Sequence, residues 1–222
     1  MNILYSTYKM CKIFVIGFNK TATTTFHKLF LKNDLRSQHD TVWQVNDYDC
    51  FSDNGDLNDF KKLDNDFPNS IFILNTRRLD KWMISRFKHG ITGKLKRNEE
   101  SNWAYPCTNE LCMKWMEQRE THYLDVLDYF KNKPQKLIII DIDKNNWEQY
   151  LSSLFKFKVT TIPPQHVSKM DTTNEEYVNM LNVLNETFND LYYDAKEREM
   201  ILFRDNILTE KYLMLYKNNV KC

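Results

Sequence analysis

The stretch CKIFVIGFNKTATTTFHKLF, residues 11–30, decides how the rest of the chain is read. Its first part, KIFVIG at 12–17, has the length and apolar content of a buried strand. Gly17 closes that run, and Lys20, Thr21, Thr23, Thr24 and Thr25 follow. From Thr23 onward, Phe26, Leu29 and Phe30 fall on one helical face, which predicts a helix over about 23–32. A strand feeding a helix through a tight turn points several backbone N–H groups into one concavity. The helix start adds partial positive charge. Lys20 can add a mobile full charge, and the threonine hydroxyls can donate to a phosphate. The same threonines could instead only cap the helix.

Working outward, SIFILNT at 70–76 and KLIIIDI at 136–142 read as two more buried strands. DTVWQV, starting at Asp40, is strand-like, and KVTTIP at 158–163 reads as an edge strand. Helices are predicted where Leu57, Phe60, Leu63 and Phe67 recur before Pro68, over about 79–87, over about 109–130, and in NNWEQYLSSLF at 145–155. The glycine-marked polar stretch at 90–108 is expected to form a lid. Strands alternating with helices imply an α/β fold, a mostly parallel central sheet covered on both faces as a three-layer sandwich. Ligands of such sheets sit beyond the carboxyl ends of the strands. The segments after Gly17 and after Asn75 both fall there. The tail, capped at Thr172 or Thr173, carries a stripe of Tyr177, Leu181, Leu184, Phe188 and Leu191. The chain therefore divides into an α/β domain at 1–170 and a helical C-terminal extension at 171–222, suited to packing on the domain or to a homodimer surface.

With 222 residues, 42% of them apolar, the chain can bury a real core. Its formal net charge of +1 gives no polybasic surface for nucleic acid. No apolar run approaches the roughly 18 residues needed to cross a bilayer. The opening MNILYSTYKMCKIFVIG, with Lys9 and Lys12, makes a poor secretory signal, so a cytoplasmic location is expected. The five cysteines are scattered; Cys107 and Cys112 lie near one another, without zinc-ligand spacing, and free thiols are expected.

The nucleotide-triphosphatase pattern G-x-x-x-x-G-K-[ST] is not met, because Lys20 follows Gly17 by three positions with no glycine directly before it. NKTATTTF resembles instead the loop of sulfotransferases that use 3'-phosphoadenosine 5'-phosphosulfate (PAPS), a family similar in fold to the P-loop kinases. Lys20, Thr21, Ala22, Thr23 and Thr24 fall on that loop in order, with Ala22 where the family carries glycine. The loop keeps its shape cheaply if Ala22 takes ordinary helical-entry angles; a positive φ there would be costly. NTRRLDKWMISRF supplies the second element. Arg77 and Ser85 have the spacing of the arginine and serine that hold the 3'-phosphate in that family. Arg78 and Arg86, beside them, read equally well as a solvated helix surface. The resemblance covers about 12–170, through FPNSIFILN and a late NNWE, to IPPQHVSK at 162–169, where Lys169 and His166 are similar to residues on the cofactor's 3' side. The Arg-Lys-Gly motif of cytosolic members is missing, and nothing after Met170 has a recognised counterpart.

The resemblance implies a P-loop kinase-like fold and PAPS as nucleotide co-substrate, with PAP as product. It implies sulfuryl transfer to a hydroxyl or amine of an unknown glycan, protein or small-molecule acceptor, and no required metal. Lys20 would stabilise the leaving phosphate, Thr21 to Thr24 would cradle the 5'-phosphate, and Arg77 with Ser85 and Lys169 would anchor the far end. Family members place a histidine or glutamate base between loop and arginine strand. Here the candidates are Asp53, then His39 and Asp49, with Asp47 behind them. Asp53 could instead cap a helix starting near Gly55. His27, His89 and His122 read as structural or solvent-facing. Trp82, Trp115 and Trp147 read as core, and Trp103 and Tyr105 as candidates to line an acceptor pocket. Two other functions fit the same residues: a P-loop nucleotide or small-molecule kinase, or a catalytically inactive PAP-binding protein.

Overall fold

The computed structural model describes residues 11–97, 104–144, 146–163 and 170–187. The chain runs β1 (Ile13–Val15), α1 (Thr23–Lys32), β2 (Ser37–His39) and β3 (Cys50–Ser52). A 3-10 turn (Gly55–Leu57), α2 (Phe60–Asp66), β4 (Ile71–Thr76) and α3 (Leu79–Arg97) follow. Then come α4 (Asn109–Phe130), β5 (Leu137–Asp141), α5 (Trp147–Phe155) and a further helix, α6, over 175–187. The five strands form one sheet in the order β2-β3-β1-β4-β5, and every pairing is parallel.

Residues of β1, β3, β4 and β5 alternate between two cores. Phe14, Phe51, Phe72, Leu74 and Leu137 face one side, where Phe60 of α2, Trp82 and Phe87 of α3, and Trp115 and Phe130 of α4 pack. Ile13, Val15, Ile71, Ile73, Ile138 and Ile140 face the other, with Phe26 and Phe30 of α1 and Leu151 of α5. Phe14 anchors the first core, stacked on Phe51 at 5.0 Å and on Phe72 at 5.3 Å between ring centroids. Tyr177, Met180 and Leu184 of α6 belong to that same core, so this part of the tail packs on the domain. Phe188, Leu191 and the rest of the tail lie outside the described residues.

Several local expectations are corrected. DTVWQV forms no strand; Trp43 there turns inward as a core residue, and the two short strands flank the segment. Residues 158–163 form no strand either. Leu57 does not belong to the α2 stripe: it sits in the 3-10 turn, 68% exposed, and α2 starts one turn later under the cap Asp59, whose side chain accepts from Lys62 N at 3.0 Å. The helix expected to stop near Phe87 continues to Arg97, so half of the expected lid is helix. Ala104, at the other end of that lid, is fully buried, and Gly90 meets it so closely that a Cβ would stand 2.3 Å from the Ala104 carbonyl. Tyr105 is tied down as well, its hydroxyl 2.9 Å from Glu176 Oε2, with Lys94 bonded to both. Trp103 lies outside the described residues. Among the described residues, no helix is long and apolar enough to cross a membrane.

Candidate functional site

The turn after β1 is held from below by one buried side chain. Asn75, at the carboxyl end of β4, is fully buried. It accepts from Gly17 N at 2.8 Å and donates to the Thr21 carbonyl at 2.9 Å and to the Thr21 hydroxyl. Thr21 in turn donates to the Phe18 carbonyl, so its hydroxyl is spent on the loop's own shape. Gly17 is required by this approach, because a Cβ there would lie 2.3 Å from Asn75 Oδ1. His122, expected to be structural or exposed, is bonded beneath the same turn, with Nε2 donating to the Ile16 carbonyl at 2.7 Å. Burial keeps its imidazole below the usual histidine range, hence neutral and suited to that bond.

Ala22 does not take ordinary helical-entry angles. It enters α1 at φ 65 and ψ 23, and Lys20 just before it stands at φ 63. Ala22, in the cap position, gives α1 no side-chain cap. A methyl group in the left-handed region costs about 1–2 kcal/mol. Ala22→Gly is therefore expected to stabilise the protein by about 1 kcal/mol, read as a higher urea midpoint at unchanged slope.

Arg77 joins the second loop to the first. Its Nη1 donates to the Lys20 carbonyl at 3.2 Å. Its own carbonyl accepts from Arg119 Nη2 of α4 at 2.7 Å, and Trp82 Nε1 donates to the Asn19 carbonyl at 3.0 Å. The two loops thus meet at the carboxyl edge of the sheet, beside the point where the chain turns from one side of β1 to the other. Among the described residues Arg77 Nε is buried without a hydrogen bond, and Asp143 Oδ1 stands 3.9 Å from it.

A compact set of charges lies beside the Lys20 loop. Burial lowers the Lys20 ammonium below the usual lysine range; Asp53 opposes that shift and Arg86 adds to it. Asp53 accepts from Thr23 Oγ1 at 3.2 Å, and its backbone stands at φ 82. Asn54, not Asp53, occupies the cap position of the 3-10 turn. His39 Nε2 lies 3.2 Å from the Thr23 hydroxyl and 3.3 Å from that of Thr24. Asp49 is set apart: it precedes β3 at the sheet's opposite edge and is gripped by both Arg36 Nε and Nη2 at 2.8 Å. Those hydrogen bonds hold its carboxyl below the usual range, against what burial would do. Asp47 is exposed beside it.

Sequence reasoning passed over Asp56 and undervalued Arg86. Asp56 belongs to the 3-10 turn, which Gly55 presses against β1: a Cβ at Gly55 would lie 2.4 Å from Ile16 Cα. Among the described residues Asp56 Oδ1 is buried without a hydrogen-bond partner, and burial pushes its carboxyl up to about 6, with Arg86 pulling the other way. Arg86 is 7% exposed, stacked 4.1 Å from the Trp115 ring centroid and 4.7 Å from that of Trp82. Burial lowers it to about 10. The signal for Arg86 was its place four residues after Trp82, on the apolar face of α3; for Asp56 no sequence pattern marked it. Ser85 is half-buried on α3 two turns beyond Arg77, while Lys169 and His166 lie outside the described residues.

No model of a known protein family matches the chain, and no curated protein matches it.

Proposed function

We propose that this chain is a sulfotransferase that moves a sulfuryl group from PAPS to a hydroxyl-bearing acceptor. The observation that carries the reading is the bond from the Arg77 guanidinium to the Lys20 carbonyl, which brings two cationic loops to one ligand edge. A nucleotide phosphorylated at both ends needs two such grips a short distance apart. The parallel sheet with helices on both faces, and the lysine loop after its first strand, support the finer reading of a P-loop kinase-like three-layer sandwich.

In this reading the uncapped start of α1 and Lys20 receive the 5'-phosphate, with Thr23 and Thr24 at its flank. Arg77 and Ser85 receive the 3'-phosphate. The acceptor oxygen attacks sulfur in line with the bond to the 5'-phosphate. That bond breaks, its electron pair passes to the phosphate oxygen of departing PAP, and Lys20 offsets the charge that gathers there. The acceptor's proton goes to Asp56, whose raised pKa and unpartnered oxygen suit a base better than Asp53, already occupied by Thr23.

The test is transfer of label from sulfur-labelled PAPS to a panel of hydroxyl acceptors. The initial rate is expected to rise as pH climbs through about 6, and Asp56→Asn to lose on the order of 10²–10⁴-fold and that rise. Stability separates base loss from misfolding. The raised folded pKa means that Asp56 contributes most to stability below its unfolded value and loses that contribution as pH rises through about 6. Asp56→Asn is therefore expected to be no less stable than wild type at pH 8. A second reading, PAP binding without transfer, draws on the strained Ala22 at a phosphate-loop position; PAP affinity with no labelled product on any acceptor would favour it.

A further inference from the structure

We infer that His27 of α1 and His39 of β2 form a two-imidazole site for a divalent transition-metal cation of the zinc class. β2 is the outermost strand in the order β2-β3-β1-β4-β5, and α1 lies against it. Ser37 and His39 stand two residues apart on β2, so they share one face of the strand. Thr23 and Thr24 precede His27 by four and three residues, so these three share one face of α1. The two faces meet. His27 Nδ1 lies 2.9 Å from Ser37 Oγ, and His39 Nε2 lies 3.2 Å from Thr23 Oγ1 and 3.3 Å from Thr24 Oγ1. Both rings are half-buried, with centroids 5.6 Å apart and planes at 50°.

That separation is the one a shared ion requires. Two imidazoles on one tetrahedral metal, each nitrogen at about 2.0–2.1 Å, place their ring centres roughly 5–6 Å apart. A ligating histidine donates its other ring N–H to an oxygen that fixes the ring. Ser37 Oγ stands in that place for His27, and the Thr23 and Thr24 hydroxyls for His39. Thr23 passes its bond on to Asp53 at 3.2 Å, so a carboxylate backs His39 through one hydroxyl. With those nitrogens carrying the hydrogen, the lone pairs of His27 Nε2 and His39 Nδ1 are left for the ion. Among the described residues no group of three or more His, Cys, Asp or Glu side chains gathers to hold a metal, so water completes the coordination and the site is an open one. Imidazole ligands select zinc, copper(II) or nickel over magnesium and calcium, which take oxygen. The ion has no part in the proposed sulfuryl transfer, and the site needs neither PAPS nor an acceptor.

The experiment is titration of zinc chloride into the full chain, first freed of metal with a chelator, followed by nitrogen NMR of the histidine rings and by calorimetry. The ring nitrogens of His27 and His39 are expected to shift together, while those of His122, bonded to the Ile16 carbonyl, stay in place. Magnesium chloride is expected to move none of them. His27→Ala and His39→Ala are each expected to raise the zinc dissociation constant at least tenfold. The double variant is expected to add no more than about threefold, because a single remaining imidazole no longer chelates. Thermal midpoints without metal establish that the variants fold, and His→Asn replaces any alanine variant that does not. Wild-type spectra in which His27 and His39 stay unmoved in excess zinc overturn the site whatever the variants do. So does zinc affinity that both single variants keep within threefold of wild type, as binding at scattered thiols would give. Neither result touches the sulfotransferase reading.

Discussion

On the proposed function, Lys20→Met is expected to lower sulfuryl transfer by on the order of 10³-fold, about 4 kcal/mol at the transition state. The ammonium sits in a partly desolvated loop, where a charge acts on the departing phosphate far more strongly than it would in water. In the proposed reaction its charge would matter most when the sulfur–oxygen bond is breaking and negative charge gathers on PAP. The loss should therefore fall mainly on kcat, with a smaller change in PAP affinity. Folding should not suffer. Burial already disfavours the charged form of Lys20, so methionine removes a charge that folding had to desolvate. Rapid-quench measurement of transfer, beside urea unfolding of the same preparation, separates the two effects. A variant that retains transfer within tenfold of wild type would remove Lys20 from the chemistry.

Asn75→Leu is expected to destabilise the protein by about 3 kcal/mol or more. Asn75 is fully buried and serves three groups of the loop: Gly17 N–H, the Thr21 carbonyl and the Thr21 hydroxyl. Leucine has similar bulk and leaves these polar groups buried and unmatched, at about 1–3 kcal/mol for each one not rescued by rearrangement. The packing around it leaves little room to rearrange, since Gly17 already touches Asn75 at its closest approach. Asn75→Asp keeps an acceptor for Gly17 N–H but turns a carboxylate toward the Thr21 carbonyl, so it is expected to rescue little. Urea midpoints for both variants check this. PAP binding should fall along with stability, because the same side chain sets the shape of the Lys20 turn.

Much of the fold was legible because its signals are short-range. Ile13 to Val15, Ile71 to Thr76 and Leu137 to Asp141 are apolar runs too short for helices, and Phe26, Leu29 and Phe30 mark α1 by spacing alone. What misled was the part decided by partners distant in sequence. Trp43 looked like a strand residue but is drawn into the core against Phe14, at 5.7 Å between ring centroids. Gly90 and Gly93 marked the stretch read as a lid, yet both are in α3, and Gly90 lies packed against Ala104. The site divides in the same way. Lys20, Thr23, Arg77 and Ser85 carry a recognisable spacing. Asn75 was visible only as a polar residue in an apolar strand, and Asp56 and Arg119 only through the burial that the completed fold imposes. Asp49 and Asp53 differ by four positions in the chain, but β3 runs between them, and the strand's length puts them at opposite edges of the sheet.

The claim on which the functional account turns is that Lys20 and Arg77 grip one nucleotide phosphorylated at two places. Calorimetric titration of PAP, and separately of ATP with magnesium, into wild-type protein and Arg77→Ala tests it most directly. The account predicts clear PAP binding by wild type, at least tenfold weaker in Arg77→Ala, a loss of about 1.4 kcal/mol or more. Tight binding of magnesium-ATP with no measurable binding of PAP, or PAP binding that Arg77→Ala leaves unchanged, would contradict it.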